Sequence, residues 1–139
     1  MARLLVDTGF LVALYIRGDT LHNGAVDYLR GNRAALLTVA PVIVETCFFL
    51  DVQAKVELLE WVARGGIEVY DISPRSAFAE IVMHLQKYAD HDIDFADAAL
   101  VWLANAHGER RVLTVDETDF SLFRLKNGKH FDLVQWFVK

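Results

Sequence analysis

Short apolar runs alternate with longer segments of helical periodicity along this chain. The apolar runs predict one strand at each of five places: Arg3–Val6, 34–39, 67–72, 111–115 and, as an edge strand, 133–138. Continuous apolar strands that alternate with helices are typical of a parallel sheet covered by helices on both faces. The pattern therefore predicts an α/β protein with three layers, α/β/α, around a mainly parallel sheet of about five strands.

Apolar residues at helical spacing fill the segments between these strands. They predict helices at 9–16, 19–30, 51–63 and 118–124, and one that Pro41 opens and that contains Glu45. A further helix is expected through 78–85, with Ser73 and Pro74 as its cap and first turn. Asp94 is expected to cap an Ala-rich helix that runs to about residue 106. With 139 residues there is room for one core, so residues 1–139 are expected to form a single domain.

Four carboxylates stand nearly alone inside apolar segments of the sequence. They are Asp7, Glu45, Asp97 and Asp116. Burying an ionised carboxylate without a partner costs several kcal/mol, so repeated placement of acids in apolar segments indicates that they share a cation. Asp7 and Asp116 are expected at the carboxyl ends of strands, where parallel sheets bind their ligands. We therefore interpret the four acids as a divalent-metal site in one cleft.

Two neighbouring acids compete with these assignments. Asp94 is expected to serve only as a helix cap, so one of the pair Asp94 and Asp97 suffices for metal binding. Asp119 either joins the site in place of Asp116 or caps a helix that begins near Phe120. Asp116 is favoured because it directly follows the predicted strand.

Composition and charge place limits on the function. With 54% hydrophobic and 24% charged residues the chain is of the globular class. A net charge of −5 argues against a passive nucleic-acid binder, although metal ions would neutralise much of an acidic site. Six basic residues are candidates for contacts with phosphates or for an ordinary solvated surface: Arg75, Arg110, Arg111, Arg124, Lys126 and Lys129.

Several other classes are excluded by what the sequence lacks. No uncharged apolar stretch of about eighteen residues is present, so no membrane-spanning helix is expected, and the start of the chain does not have the pattern of a secretion signal. A single cysteine, Cys47, suits a reducing cytoplasm. The five histidines lack paired zinc spacing, and there is neither a Gly-x-Ser-x-Gly elbow nor a Gly-rich phosphate loop.

Four stretches of the chain resemble the PIN domain, particularly the VapC-like toxins of toxin-antitoxin pairs. They are Leu-Leu-Val-Asp7-Thr-Gly, Val-Ile-Val-Glu45-Thr, Asp94-Phe-Ala-Asp97-Ala-Ala-Leu and Leu-Thr114-Val-Asp116-Glu-Thr-Asp119-Phe, in the family's order. The resemblance implies a PIN-like domain that acts as an Mg- or Mn-dependent endoribonuclease, forms a homodimer and is held inactive by an antitoxin protein. By position, the resemblance implies that Asp7 and Asp97 are metal ligands. It implies that Glu45 orients or helps deprotonate the attacking water and that Asp116 completes the acidic cluster. Thr8 or Thr114 would hydrogen-bond to a ligand or phosphate.

Two other functions stay open beside this one. The chain can be a non-catalytic binding module on a PIN-like fold, or a metal-dependent nuclease that acts on DNA or on a structured substrate, because metal-assisted phosphodiester cleavage does not itself need a 2′-hydroxyl. Aromatic side chains either fill the core or form an exposed patch that pairs subunits or receives an antitoxin helix: Phe48, Phe49, Trp61, Trp102, Trp136 and Phe137.

Overall fold

Five short parallel strands form the central layer of the structure, a computed structural model that describes residues 2–138. The strands are β1 (Arg3–Val6), β2 (Ala35–Val39), β3 (Glu68–Tyr70), β4 (Arg111–Leu113) and β5 (Asp132–Leu133). The α-helices are α1 (Thr8–Tyr15), α2 (His22–Gly31), α3 (Ala40–Cys47), α4 (Val52–Ala63), α5 (Ala77–Lys87), α6 (Phe95–His107) and α7 (Glu117–Leu122). A short 3-10 helix, Ala89–His91, joins α5 to α6. The predicted three-layer α/β/α fold is confirmed.

The order of the strands creates one switch point in the sheet. From β1 the chain builds β2 and then β3 on one side, and it later returns to place β4 and β5 on the other side, which gives the order β3-β2-β1-β4-β5. Ligands bind at such a switch point in parallel sheets, outside the carboxyl ends of the two strands that flank it. Here these strands are β1 and β4, with Val6 paired to Leu113.

The core lies around β1 and α6. Every side chain from Leu4 to Val6 is completely buried, because β1 has a neighbouring strand on each side and helices above and below. The segment Ala96–Ala104 of α6 is buried as well. Its four alanines let α6 approach α3, α5 and β2 closely, so the helix that carries Asp97 is held from several directions.

Two helices begin later than the sequence predicts. Ser73 and Pro74 lie before α5, which starts at Ala77; the Ala77 N–H donates to the Pro74 carbonyl oxygen at 2.8 Å, so a tight turn precedes the helix. Asp19 likewise precedes α2, and its carboxylate accepts a hydrogen bond of 2.8 Å from the Leu21 N–H. In both cases a turn leads into the helix, and at α2 the Asp19 carboxylate stabilises it.

The predicted strands at 111–115 and 133–138 are too long. Strand β4 ends at Leu113, and β5 contains only Asp132 and Leu133. Since a strand can extend only as far as its neighbour pairs with it, the three residues of β4 limit β5. After β5 only Trp136 is buried among residues 134–138, and its indole Nε1–H donates to the Thr114 carbonyl oxygen at 3.1 Å.

The aromatic residues divide between the core and the surface. Trp102 and Trp136 are buried, and Trp61 and Phe137 are half-buried against the core. Phe48 and Phe49, which follow α3, are 82% and 60% exposed. Among residues 2–138, no helix is long and apolar enough to cross a membrane.

Candidate active site

Asp7 lies at the carboxyl end of β1, at the switch point of the sheet. Its backbone N–H donates to the Leu113 carbonyl oxygen at 3.0 Å, which ties it to β4. The Thr114 hydroxyl donates to Asp7 Oδ2 at 2.8 Å, whereas Asp7 Oδ1 is buried and has no hydrogen-bond partner. Burial raises the pKa of Asp7 to about 6, although the hydrogen bond from Thr114 works in the opposite direction.

Thr114 connects the ends of two segments of the site. Its hydroxyl oxygen accepts a hydrogen bond from the Asp116 N–H at 2.9 Å while its proton is donated to Asp7. The side chain is buried, and Trp136 holds its carbonyl oxygen. One hydroxyl therefore fixes both the first acid of the site and the loop that carries the last two.

Asp97 is the third residue of α6 and is buried. Asp94 caps this helix as predicted, since its Oδ1 accepts the Asp97 N–H at 2.8 Å and so orients the first turn. Burial, together with repulsion from Asp7 and other acids, raises the pKa of Asp97 to about 9. A carboxyl group in these surroundings strongly favours a proton or a cation over a free charge.

Asp116 and Asp119 lie together beside Asp97. Each of the three residues offers a carboxylate oxygen that lies within 4.8 Å of the others. Asp116 does not end the strand as predicted; it is the N-cap of α7, and its Oδ1 accepts the Asp119 N–H at 3.0 Å. Asp119 is therefore in the first turn of α7 and not its cap. Partial burial and repulsion from Asp116 raise the pKa of Asp119.

Glu45 approaches the same acids from α3. It lies in the second turn of this helix, which contains it as predicted, and it is half-buried. Burial and the charge of Asp94 raise the pKa of Glu45, while the Thr8 hydroxyl lowers it. The charge of Glu45 in turn contributes to the raised pKa of Asp97. The structure thus gathers Asp7, Glu45, Asp97 and Asp116 at one edge and adds Asp119, which the sequence left as an alternative.

The donor atoms at this edge suit a hard divalent cation. The cluster of Asp97, Asp116 and Asp119 consists of carboxylates only, and Mg²⁺ and Mn²⁺ prefer oxygen ligands. Asp7 Oδ1 is a buried oxygen without a hydrogen bond, and such an atom is costly unless something binds it. The main charged neighbours of Asp97 are acids, so a cation would relieve their repulsion.

Gly9 allows α1 to approach the loop that follows β4. A Cβ atom at this position would overlap the side chain of Val115, which lies between Thr114 and Asp116. Val has a stiff, branched side chain that cannot easily turn away. Glycine at position 9 therefore keeps α1 close to the loop after β4.

Replacing Thr114 by Val is expected to weaken both the fold and the site. The change keeps the shape but removes two hydrogen bonds, which leaves Asp7 Oδ2 and the Asp116 N–H unpaired; we expect a loss of about 1–3 kcal/mol in the free energy of unfolding. Since the pKa of Asp7 should rise further, divalent-metal affinity at neutral pH should fall about 10- to 100-fold. Chemical denaturation and calorimetric metal titration measure the two effects. Thr118→Val, at an exposed position in α7, is the control, and equal behaviour of both variants would refute this role of Thr114.

The fold and the acidic cluster together define a class of protein. This is a doubly wound α/β domain that gathers carboxylates from four segments at the switch point of its sheet, an arrangement suited to binding a divalent cation. The chain belongs to the PIN domain family, whose sequence model matches residues 4–124. This match confirms the resemblance seen in the sequence.

Two relatives extend this result. The chain is 29% identical over 136 residues to ribonuclease VapC26 of Mycobacterium tuberculosis, and the alignment covers 94% of this chain and 99% of that protein. The crystal structure of Mycobacterium tuberculosis VapC20, described as a toxin that cleaves the sarcin-ricin loop, superposes with a TM-score of 0.76. That comparison covers 83% of this chain and 91% of VapC20 at 20% identity, so it supports the fold.

Proposed function

We propose that this chain is a metal-dependent endoribonuclease and the toxin of a toxin-antitoxin pair. The observation that carries the proposal is the convergence of four acids from separate segments on one edge of a PIN domain. Asp97 is buried among the others at a pKa raised to about 9. The full-length similarity to a ribonuclease VapC supports RNA as the substrate. Gathering these negative charges costs electrostatic free energy, and a binding module without catalysis would have no need of such a cluster.

Asp7 and Asp97 hold the metal ion in this proposal. Both are buried, the Asp7 N–H is bonded to β4 and the Asp97 N–H to the Asp94 side chain, and Asp7 has a carboxylate oxygen without a hydrogen bond. Mg²⁺ and Mn²⁺ both suit this donor set. A bound ion of this kind makes water a better nucleophile at neutral pH and stabilises the charge that develops on phosphate oxygens.

Glu45 orients the attacking water and accepts its proton. Its carboxylate is half-buried, and its raised pKa makes it a stronger base than an exposed glutamate. Asp116 and Asp119 complete the acidic cluster beside Asp97 and bring further negative charge to it. Thr114 and Asp94 act indirectly, since they hold Asp7 and Asp97 in place.

Purified protein is expected to cut single-stranded RNA when Mg²⁺ or Mn²⁺ is present and to stop when excess EDTA is added. Restoring the metal should restore cutting, because the acids hold their positions through backbone contacts. A DNA oligonucleotide of the same sequence, tested in parallel, separates a ribonuclease from a nuclease of broader substrate. Metal binding by calorimetry without cutting of total cellular RNA or DNA would favour the binding module, and cutting that persists in EDTA would refute the metal-dependent mechanism.

An apolar groove beside Glu45 supports the part of the proposal that concerns the antitoxin. It has a volume of about 680 Å³ and lies between α3, α5 and the start of α6. Its walls include exposed side chains that water solvates poorly: Val44, Phe48, Phe78 and Phe95. We propose that an apolar antitoxin segment fills this groove and so covers the entrance to the acids.

A second apolar surface supports a homodimer. On α4, the side chains of Val52, Val56 and Leu59 lie on one face of the helix and are 74%, 43% and 48% exposed, so they form an apolar stripe at the surface. We propose that a second copy of the chain covers them. The mass of the protein in solution, measured by light scattering, is the direct observable.

A further inference from the structure

A continuous groove runs along the outer side of α6, away from the apolar groove. It consists of two adjoining cavities, of about 400 Å³ each, that share Asn105, Leu125 and Lys126. One cavity lies between α5 and α6, and the other lies between the end of α6 and the turn after Leu125. We call the two together the basic groove, because five cationic side chains line it: Lys87, Arg110, Arg124, Lys126 and Lys129.

The charge of this groove is opposite to that of the whole chain. The protein has 14 Lys and Arg against 19 Asp and Glu, yet among the described residues Glu80 is the only acid that lines the groove. Glu80 forms an ion pair with Lys126, while the other four cations form no ion pair within residues 2–138. Holding like charges together without acidic partners is unfavourable, which suggests that a polyanion neutralises them.

The basic groove starts one residue along α6 from Asp97, on a different face of the helix. Ala98, which lines one end of the groove, directly follows Asp97 in α6, and Asn105 lies near the other end of the helix. The 13 residues of α6 give a length of about 20 Å, and phosphates in one strand of a stacked helix follow each other about every 3.4 Å. The groove is therefore long enough for several phosphates.

Arg124 connects the groove to the segments that carry the acids. Its backbone N–H donates to the Tyr88 hydroxyl at 3.1 Å, and Tyr88 begins the connection that leads to Asp94. Arg124 also follows α7, whose N-cap is Asp116. One guanidinium nitrogen, Nη1, donates to carbonyl oxygens at the end of α7, which fixes the direction of the side chain.

We propose that the basic groove binds the phosphate backbone of the single-stranded RNA that is cut at the acidic cluster. This inference rests on the proposed function and adds the path of the substrate. Cations on flexible side chains read phosphates and not bases, so the groove holds an RNA strand of any sequence and aligns one phosphodiester with Asp97. The metal site alone would repel RNA because of its negative charge, and the groove compensates for this repulsion.

The test compares two pairs of charge reversals in the full chain. Arg110→Glu with Lys129→Glu alters the groove at exposed positions, whereas Arg17→Glu with Arg30→Glu changes the net charge equally at exposed positions outside it. Binding of fluorescent single-stranded RNA of roughly 12 nucleotides is measured by anisotropy in EDTA at several salt concentrations. Cutting of this RNA and of a trinucleotide is then measured with Mn²⁺.

The groove variant is expected to bind RNA on the order of tenfold more weakly than the control variant. The slope of log affinity against log salt should fall by about 1.4, since each lost phosphate contact on a single strand accounts for about 0.7. Cutting of the trinucleotide should stay unchanged because it occupies only the acidic cluster. Equal RNA affinity and equal salt slopes for both variants would overturn the inference. This holds even if the groove variant binds polyglutamate, another polyanion, more weakly than the control variant does. A wild-type chain that neither binds nor cuts RNA would instead refute the proposed function.

Discussion

Replacing Asp97 by Asn is expected to abolish RNA cleavage while it stabilises the metal-free protein. Cleavage should fall on the order of 10³-fold, because a metal ligand that contributes several kcal/mol to the transition state is lost. The metal-free variant should gain roughly 1–3 kcal/mol in the free energy of unfolding, because the buried group no longer has to carry a proton or a charge among Asp7, Asp94 and Asp116. Cleavage assays and urea denaturation in EDTA measure the two effects.

Two further variants make this result specific. Asp27→Asn changes the same functional group at an exposed position of α2 and should alter neither cleavage nor stability. Glu45→Gln should lose cleavage but keep most of the metal affinity, because Glu45 acts on the water. An Asp97→Asn protein that still cuts RNA would contradict the proposed site. A variant that is less stable than wild type in EDTA would contradict the conclusion that the buried Asp97 carboxyl group destabilises the metal-free protein.

The metal-free protein is expected to lose stability as the pH rises from about 4 to about 9. In the unfolded chain Asp97 releases its proton near its ordinary pKa of 3.8, whereas in the folded protein its pKa is raised to about 9. Between these values the folded state holds a proton that the unfolded chain has released, so the stability present below pH 4 is lost progressively as the pH increases. Asp7, with a pKa raised to about 6, adds to this loss in the acidic half of the range.

Mg²⁺ or Mn²⁺ should reverse this dependence. The ion binds the deprotonated carboxylates, so its stabilisation should grow with pH and reach about 2.7 kcal/mol at a free concentration of 100 Kd. Thermal unfolding at a series of pH values, with EDTA or with metal, measures both curves. Parallel curves for wild type and Asp97→Asn in EDTA would show that Asp97 is not the titrating group.

The elements that depend on local chemistry were predictable from the sequence. The Asp94 cap and α6 follow from an acid placed before a long apolar segment, and the structure confirms both. The layer architecture was also predictable. Strands that are buried on both faces appear in the sequence as continuous apolar runs that alternate with helices.

The errors occur where contacts between distant residues decide the outcome. The run at 133–138 is apolar enough for a strand, but β4 offers only a short edge, and Trp136 turns toward Thr114 instead. Asp116 was expected to end a strand, yet β4 ends at Leu113, and Thr114 bonds to Asp7 and to the Asp116 N–H outside the sheet. No local pattern encodes these contacts.

The site itself was predicted in outline. Isolated acids in apolar segments led to the prediction of Asp7, Glu45, Asp97 and Asp116 as site residues, because a buried charge is a strong anomaly. Asp119 gave a weaker signal, since an acid in the first turn of a short helix has an ordinary explanation in the helix dipole. Its proximity to Asp97 depends on how α7 packs, which only the folded chain shows.

The wide separation of these acids along the chain bears on synthesis in the cell. Asp7 leaves the ribosome early, but its hydrogen bond from Thr114 forms only after more than a hundred further residues have been translated. The position of Thr114 depends in turn on Trp136, which follows later still. A nascent chain therefore has an incomplete candidate site until the segment around Trp136 has been made and folded, so a ribosome that synthesises this proposed nuclease should not be exposed to its activity before then.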